Sequence, residues 1–246
     1  MPRQPVEADF PAPAVVKIFP APENTPLTHA VVLLHGLGDT LDNFAHLADR
    51  LPLPQATIIV LQAPNPMPFD LGGFHWGHDL VFARNPNDAN DEQLTPEAEF
   101  GVAKNLLGQV VIRDVLVGKC GFTAATDIIL WGYAQGAMVA LDVAASHTPV
   151  RAVVSVGGWM PIYVRPRDIL DERPTEVLVC GGASAKSDIT AERYELLTAI
   201  FPHLKRLRFN KPDDVMPSTT DEMAPILRFL LMILIPDELR KQGLIK

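Results

Sequence analysis

The stretch IILWGYAQGAMVAL, residues 128–141, decides the fold. Residues 127–131 form an apolar run with no polar alternation, the pattern of a strand covered on both faces. Gly132 and Gly136 then bracket a sharp turn, and residues 135–146 carry the apolar spacing of a helix. Outward from this unit, apolar runs of strand length recur at 30–34, 57–62, 150–156, 176–180 and 206–209. Helical stretches lie between them at 41–50, 96–116, 190–201 and 220–234. In the second, Phe100, Ala103, Leu107, Val110, Val111 and Val115 make one stripe. Strands and helices alternating in this way imply an α/β fold: a mostly parallel, doubly wound sheet with helices on both faces. Pro225 falls inside the last helix and predicts that this helix begins later or kinks.

No internal repeat or Gly/Ser-rich linker divides the sequence, so a single domain over residues 29–246 is expected. Residues 1–28 read as a proline-punctuated arm that can supply an edge strand around residues 15–19. Hydrophobic residues make up 48% of the 246 and charged residues 20%, enough for a large buried core. The net charge of −8, with no basic cluster standing out, argues against nucleic acid and anionic membranes as partners. The longest strictly apolar run, residues 229–235, is far shorter than the ~20 residues of a membrane span, and the N-terminus has no signal-peptide run. Two cysteines, Cys120 and Cys180, give no disulfide framework and fit a reducing, cytoplasmic setting.

Chemistry in such sheets gathers at the carboxyl ends of the strands. Three ends are distinctive. Residues 31–40, VVLLHGLGDT, run from a strand into a glycine-rich turn able to aim backbone N–H groups at a developing anion. Residues 132–136, GYAQG, have the strand-turn-helix form of a nucleophile elbow, G-x-S-x-G, with Ala134 at its centre. Residues 176–188, EVLVCGGASAKSD, open from a strand into a loop suited to an acid.

Taken with APNPMPFD (63–70), GGWMPI (157–162) and MPSTTDEM (216–223), these segments stand in the order and spacing of one family. Over about residues 28–235 the chain resembles the acyl-protein thioesterase and phospholipase/carboxylesterase family of α/β-hydrolases. The resemblance implies an oxyanion hole built from the N–H groups of Leu37 and Gln135. It places the family's serine on Ala134 and its histidine on Met216. The acid falls on Ala185 in an ungapped alignment, or on Asp188 if one insertion is allowed. In the family the residue at His35 orders its loop and is no triad member. No cofactor is implied.

Other residues admit two readings. Trp76, Phe69, Trp159 and Met160, with Met67 and Phe74, either line an acyl groove or pack in the core. His75 and His78 beside Asp79 lack a third ligand at helical spacing, so no metal is expected. Cys180 closes an apolar strand with no histidine near it in sequence, which suits an inert thiol.

Ester or thioester hydrolysis by this scaffold needs a nucleophile, a base and an oxyanion hole, and Ala134 offers only a methyl group. The expectation is therefore a homologue with a degenerate triad that binds without catalysis, its partner an acyl chain or a lipidated protein. Two alternatives stand beside it. One is an active hydrolase with a non-standard constellation, such as a water activated near Asp188 or His78. The other is an interaction protein with a vestigial pocket.

Overall fold

Seven strands form the main sheet of the computed structural model. The structure describes all residues but 70, 86–87, 165–168, 170–173, 185 and 236–246, and only the backbone of 83–85 and 88–93. The strands are β1 (Val16–Phe19), β2 (His29–Leu34), β3 (Ala56–Leu61), β4 (Ile128–Tyr133), β5 (Ala152–Val156), β6 (Glu176–Gly182) and β7 (His203–Phe209). Their spatial order is β1-β3-β2-β4-β5-β6-β7. All neighbours are parallel except β1, which lies antiparallel to β3 at one edge. Every residue of β2, β3 and β5 is buried, as their mostly apolar text requires, and the polar His29, Thr57 and Ser155 are buried with the rest.

Helices cover both faces. On one side α1 (Leu41–Ala48) and α5 (Thr220–Leu234) pack Phe44, Ile226, Phe229 and Leu230 against Val31, Leu33, Ile58, Val60, Ile129 and Trp131. On the other lie α2, α3 (Gln135–Ser146) and α4 (Ala191–Ile200), over Val32, Leu34, Ile59, Leu130 and Val153. α2 is α-helical over Gly101–Lys104 and continues, wound more widely as a π-helix, over Asn105–Lys119. The wider winding changes which residues face inward. Ala103, Leu107, Val111 with Ile112, Val115 with Leu116, and Cys120 are buried at steps of four to five, while Val110 is only half-buried at the margin of the stripe. One reason for the close approach is Gly108, where a Cβ would run into the His147 ring.

α5 does not start late. It begins at Thr220 under a reciprocal cap in which Thr219 Oγ1 accepts the Glu222 N–H and Glu222 Oε2 accepts the Thr219 N–H, both at 3.3 Å. Pro225 costs this helix one hydrogen bond, to the carbonyl of the exposed residue Asp221, which water can satisfy.

The chain places β3 on one side of β2 and β4 on the other, so the winding direction reverses between β2 and β4. A crevice opens at such a reversal, outside the carboxyl ends of the two strands. Here it is flanked by the turn after β2 and by Ala134.

Candidate active site

The turn from β4 into α3 has no room for side chains at its glycines. A Cβ on Gly136 would lie 2.6 Å from the Leu34 carbonyl oxygen, and one on Gly132 would lie 2.5 Å from the Gly136 carbonyl carbon. Between them Ala134 is held at φ 45° and ψ −115°, a conformation that an L-residue adopts only under strain. Its N–H donates to Val156 O at 2.8 Å, and its carbonyl accepts the Met138 N–H at 3.1 Å. The positive φ expected of an elbow residue is thus observed. The methyl group of Ala134 stands where that geometry presents a side chain.

The turn after β2 is fixed from behind by His35, which is fully buried. Its Nδ1 donates to Gly36 O at 2.8 Å. Its Nε2 accepts from Ala63 N at 3.0 Å and from Gln62 Nε2 at 2.9 Å. Those partners define a neutral ring, and burial pushes its pKa down. The Trp76 indole donates to His35 O at 2.8 Å. His35 is therefore an organiser of the turn. Gly36 is needed because a Cβ there would meet the Tyr133 ring at 2.8 Å. Among the described residues, the backbone N–H groups of Leu37 and Gln135 donate no hydrogen bond, so both donors flanking the crevice are open. The Gln135 side chain is buried and ties two loops to the elbow. Its Oε1 accepts the Trp76 N–H at 2.7 Å and its Nε2 donates to Pro96 O at 3.2 Å.

Met216 and Asp188 lie in the loops after β7 and β6. Met216 is half-buried and packs on the α1/α5 face of the sheet, as Tyr133 does. Asp188 is an exposed carboxylate, 3.7 Å from Arg193. Ala185 lies outside the described residues. The residue that organises this side is one the sequence did not single out, Asp214. From the loop after β7 it reaches into the loop after β6. There Oδ1 accepts from Gly182 N at 2.7 Å and from Ser187 Oγ at 2.8 Å, and Oδ2 accepts from Asp188 N at 2.6 Å. The acidic pair Asp213-Asp214 shortly before Met216 was its only sequence signal.

Of the residues nominated for a groove, Trp76, Trp159 and Met160 are buried in the core. Trp159 Nε1 donates to Glu97 Oε1 at 3.0 Å, and the Arg193 guanidinium stacks 3.9 Å from the Trp159 ring centroid. Burial pushes the Glu97 carboxyl upward, and the Trp159 hydrogen bond and the Arg193 charge pull it back. Phe69 stands apart. It is 92% exposed and, with φ 57°, is the other non-glycine residue of positive φ among the described ones. His75 is buried while His78 is exposed, and no group of three or more His, Cys, Asp or Glu able to hold a metal occurs among the described residues. Cys180 is fully buried, and burial pushes its thiol far up, away from nucleophilic thiolate.

The strained elbow, the two open N–H groups and the crevice at the strand reversal make up the framework of a hydrolase site. A family model described as Phospholipase/Carboxylesterase matches residues 19–229. The chain belongs to this family. Two curated relatives carry the word hydrolase in their names. Uncharacterized hydrolase C9G1.08c of Schizosaccharomyces pombe is 31% identical over 147 residues, 55% of each chain. Uncharacterized hydrolase UM10204 of Mycosarcoma maydis is 40% identical over 139 residues, 53% of this chain and 49% of that one. The matches thus span about half the length of these relatives. Among solved structures, esterase PE8 superposes with a TM-score of 0.68 at 21% identity, covering 90% of this chain and 99% of that one. Acyl-protein thioesterase 2 of Zea mays gives 0.59 at 19% identity over 90% and 99%. At these identities the two structures establish the fold alone, and the family is the α/β-hydrolase family of phospholipase/carboxylesterase type. Among the described residues no helix is long and apolar enough to cross a membrane.

Proposed function

We propose that this family member binds an acyl ligand without hydrolysing it. The observation that carries this reading is the methyl group of Ala134, held at the strained centre of an elbow whose flanking N–H donors remain open. A hydroxyl-free elbow has no nucleophile. In enzymes of this type, loss of the nucleophile or of its base lowers turnover by about a millionfold, and emptying the other roles adds little. Binding does not need those side chains. The N–H groups of Leu37 and Gln135 suit a carbonyl or carboxylate oxygen, and the exposed Phe69, Leu71 and Ile162 supply apolar contact for a chain from loops at the same end of the sheet. The ligand is then an acyl chain, free or carried on a lipidated protein.

The test has two arms. Wild-type protein should show no turnover of a short-chain nitrophenyl ester above background and no mass increase after a fluorophosphonate probe. Medium- and long-chain fatty acids should raise its melting temperature by mass action, worth about 2.7 kcal/mol at a hundredfold excess over Kd. Ester turnover at ordinary enzymatic rates would replace this reading with a hydrolase using other residues. Absence of any thermal shift would leave only the interaction protein with a vestigial pocket.

A further inference from the structure

In a chain of net charge −8, the last strand of the sheet carries a concentration of cations. Residues 203–211, HLKRLRFNK, include Lys205, Arg206, Arg208 and Lys211. Alternation along β7 divides them. Lys205 turns to the α5 face, where its ammonium sits 5.7 Å from the Phe229 ring centroid. Lys211 is neutralised by Glu222 at 2.8 Å. Arg206 and Arg208, two residues apart, share the α4 face and line one polar cavity of about 350 Å³ with residues of the loop after β6, Ser184, Ser187 and Thr190 among them.

Arg206 is held ready. Its Nη2 donates to Ile189 O at 2.8 Å and its guanidinium lies 4.6 Å from the Tyr194 ring centroid, so little freedom remains for a ligand to freeze out. The Arg208 side chain makes no hydrogen bond or ion pair among the described residues. The two like charges face one cavity, and Arg206 loses proton affinity first through burial and then through the charge of Arg208. Of the acids nearby, Asp214 accepts hydrogen bonds from Gly182, Ser187 and Asp188 and its charge also acts on Arg206, while Asp188 lies 3.7 Å from Arg193. A pair of guanidinium groups without a dedicated carboxylate is a fork set for an outside anion, and a doubly charged one matches the pair in charge.

We propose that the cavity between β7 and the loop after β6 is an anion site that takes a phosphate group, held by Arg206 and Arg208. Ser187, on the wall of this cavity, donates its hydroxyl to Asp214. A bound phosphate would therefore lie against the loop after β6, one hydrogen bond from Asp214. The site stands whether or not the Ala134 crevice binds an acyl chain.

The probe is inorganic phosphate, titrated calorimetrically into the full chain at constant ionic strength set with chloride, with acetate and a simple phosphomonoester as parallel arms. Saturable binding at millimolar concentration or tighter is expected for phosphate and the phosphomonoester, and weaker binding for acetate. Arg208→Gln should weaken phosphate at least about tenfold, equivalent to about 1.4 kcal/mol, with an unchanged melting temperature, because the Arg208 side chain has no hydrogen-bond or ion-pair partner among the described residues. Arg206→Gln should weaken binding too but also lower the melting temperature, since it removes the contacts to Ile189 and Tyr194. Arg228→Gln, on the opposite face, serves as the control and should bind as wild type does. No saturable phosphate binding, or binding that Arg208→Gln leaves intact, would overturn the proposal. Equal affinity for acetate and phosphate would overturn the assignment of a doubly charged ligand.

Discussion

The turn after β4 and the loops after β6 and β7 meet at the same end of the sheet, but different forces hold them. The turn is fixed by exclusion. At Gly132 and Gly136 backbone packs against backbone so closely that no other residue fits, and the strain at Ala134 is carried by that packing. The loops are fixed by attraction, through one carboxylate, Asp214, that collects two backbone N–H groups and a hydroxyl. A geometry set by exclusion survives replacement of the side chain it presents, because none of its contacts involve that side chain. A geometry set by hydrogen bonds to one side chain can be re-formed around a new residue. The elbow is thus held by packing, while its neighbours are held by hydrogen bonds.

The largest effect should come from violating the exclusion. Gly136→Ala forces a methyl group against the Leu34 carbonyl with backbone on every side, and should cost about 3 kcal/mol or more, read as a fall in chemical-denaturation midpoint. A loss near the few tenths of an ordinary surface change would show that the turn yields. Next comes the carboxylate. Asp214→Asn keeps the shape but turns an acceptor into a donor facing either Asp188 N or Gly182 N and Ser187 Oγ, and should cost about 1–3 kcal/mol. Hydrogen exchange should rise at Gly182 and Asp188 and stay unchanged at Met138, whose N–H reports on the elbow. Faster exchange at both places would mean that the two regions are one unit.

Smaller still is Ala134→Gly. Relief of a strain of about 1–3 kcal/mol competes with about 0.4–1 kcal/mol lost through a looser unfolded chain, so the variant should melt at or slightly above wild type. A clear drop would contradict strain at this position. The smallest effect belongs to Ala134→Ser, which should not produce ester turnover. Its chain neighbours Tyr133 and Gln135 are no bases, and His35, the histidine of the turn after β2, is neutral and fully bonded. Adding Met216→His, with Ala185→Asp to orient it if Asp188 does not, is the smallest set expected to raise the rate measurably. Ordinary esterase rates from the single variant would reveal a base within reach.

Much of this was legible in the sequence, for identifiable reasons. Strands β2 to β6 are buried on both faces, so their text is apolar with few polar residues, Thr57 and Ser155 among them, and glycine pairs mark turns that tolerate nothing else. The elbow was therefore readable to the residue. The α2 stripe was read with the α-helical period, which includes Val110, whereas the wider winding moves the buried pairs to other positions. The aromatic residues were the least legible. Trp76, Trp159 and Phe69 all sit in loops, but Trp76 and Trp159 joined the core with their indole N–H groups hydrogen-bonded, while Phe69 stayed outside, and nothing in its residue type distinguishes the two outcomes. Asp214 was missed because a carboxylate that bonds backbone N–H groups leaves no pattern in the text.

The two borders of the sheet have unequal exposure to other chains. Along β7 the cations Lys205, Arg206 and Arg208 repel a second copy of themselves. The border at β3, ATIIVL, has no such charges and is covered only by the four residues of β1. That cover is moored some distance away. Arg3 grips Asp9 through two hydrogen bonds and donates to Lys119 O, and Gln4 reaches Thr57 on β3 itself. Proteolytic trimming of the first two dozen residues would therefore lay bare an uncharged, β-branched border, and the trimmed protein should self-associate into sheet-rich aggregates before its core unfolds.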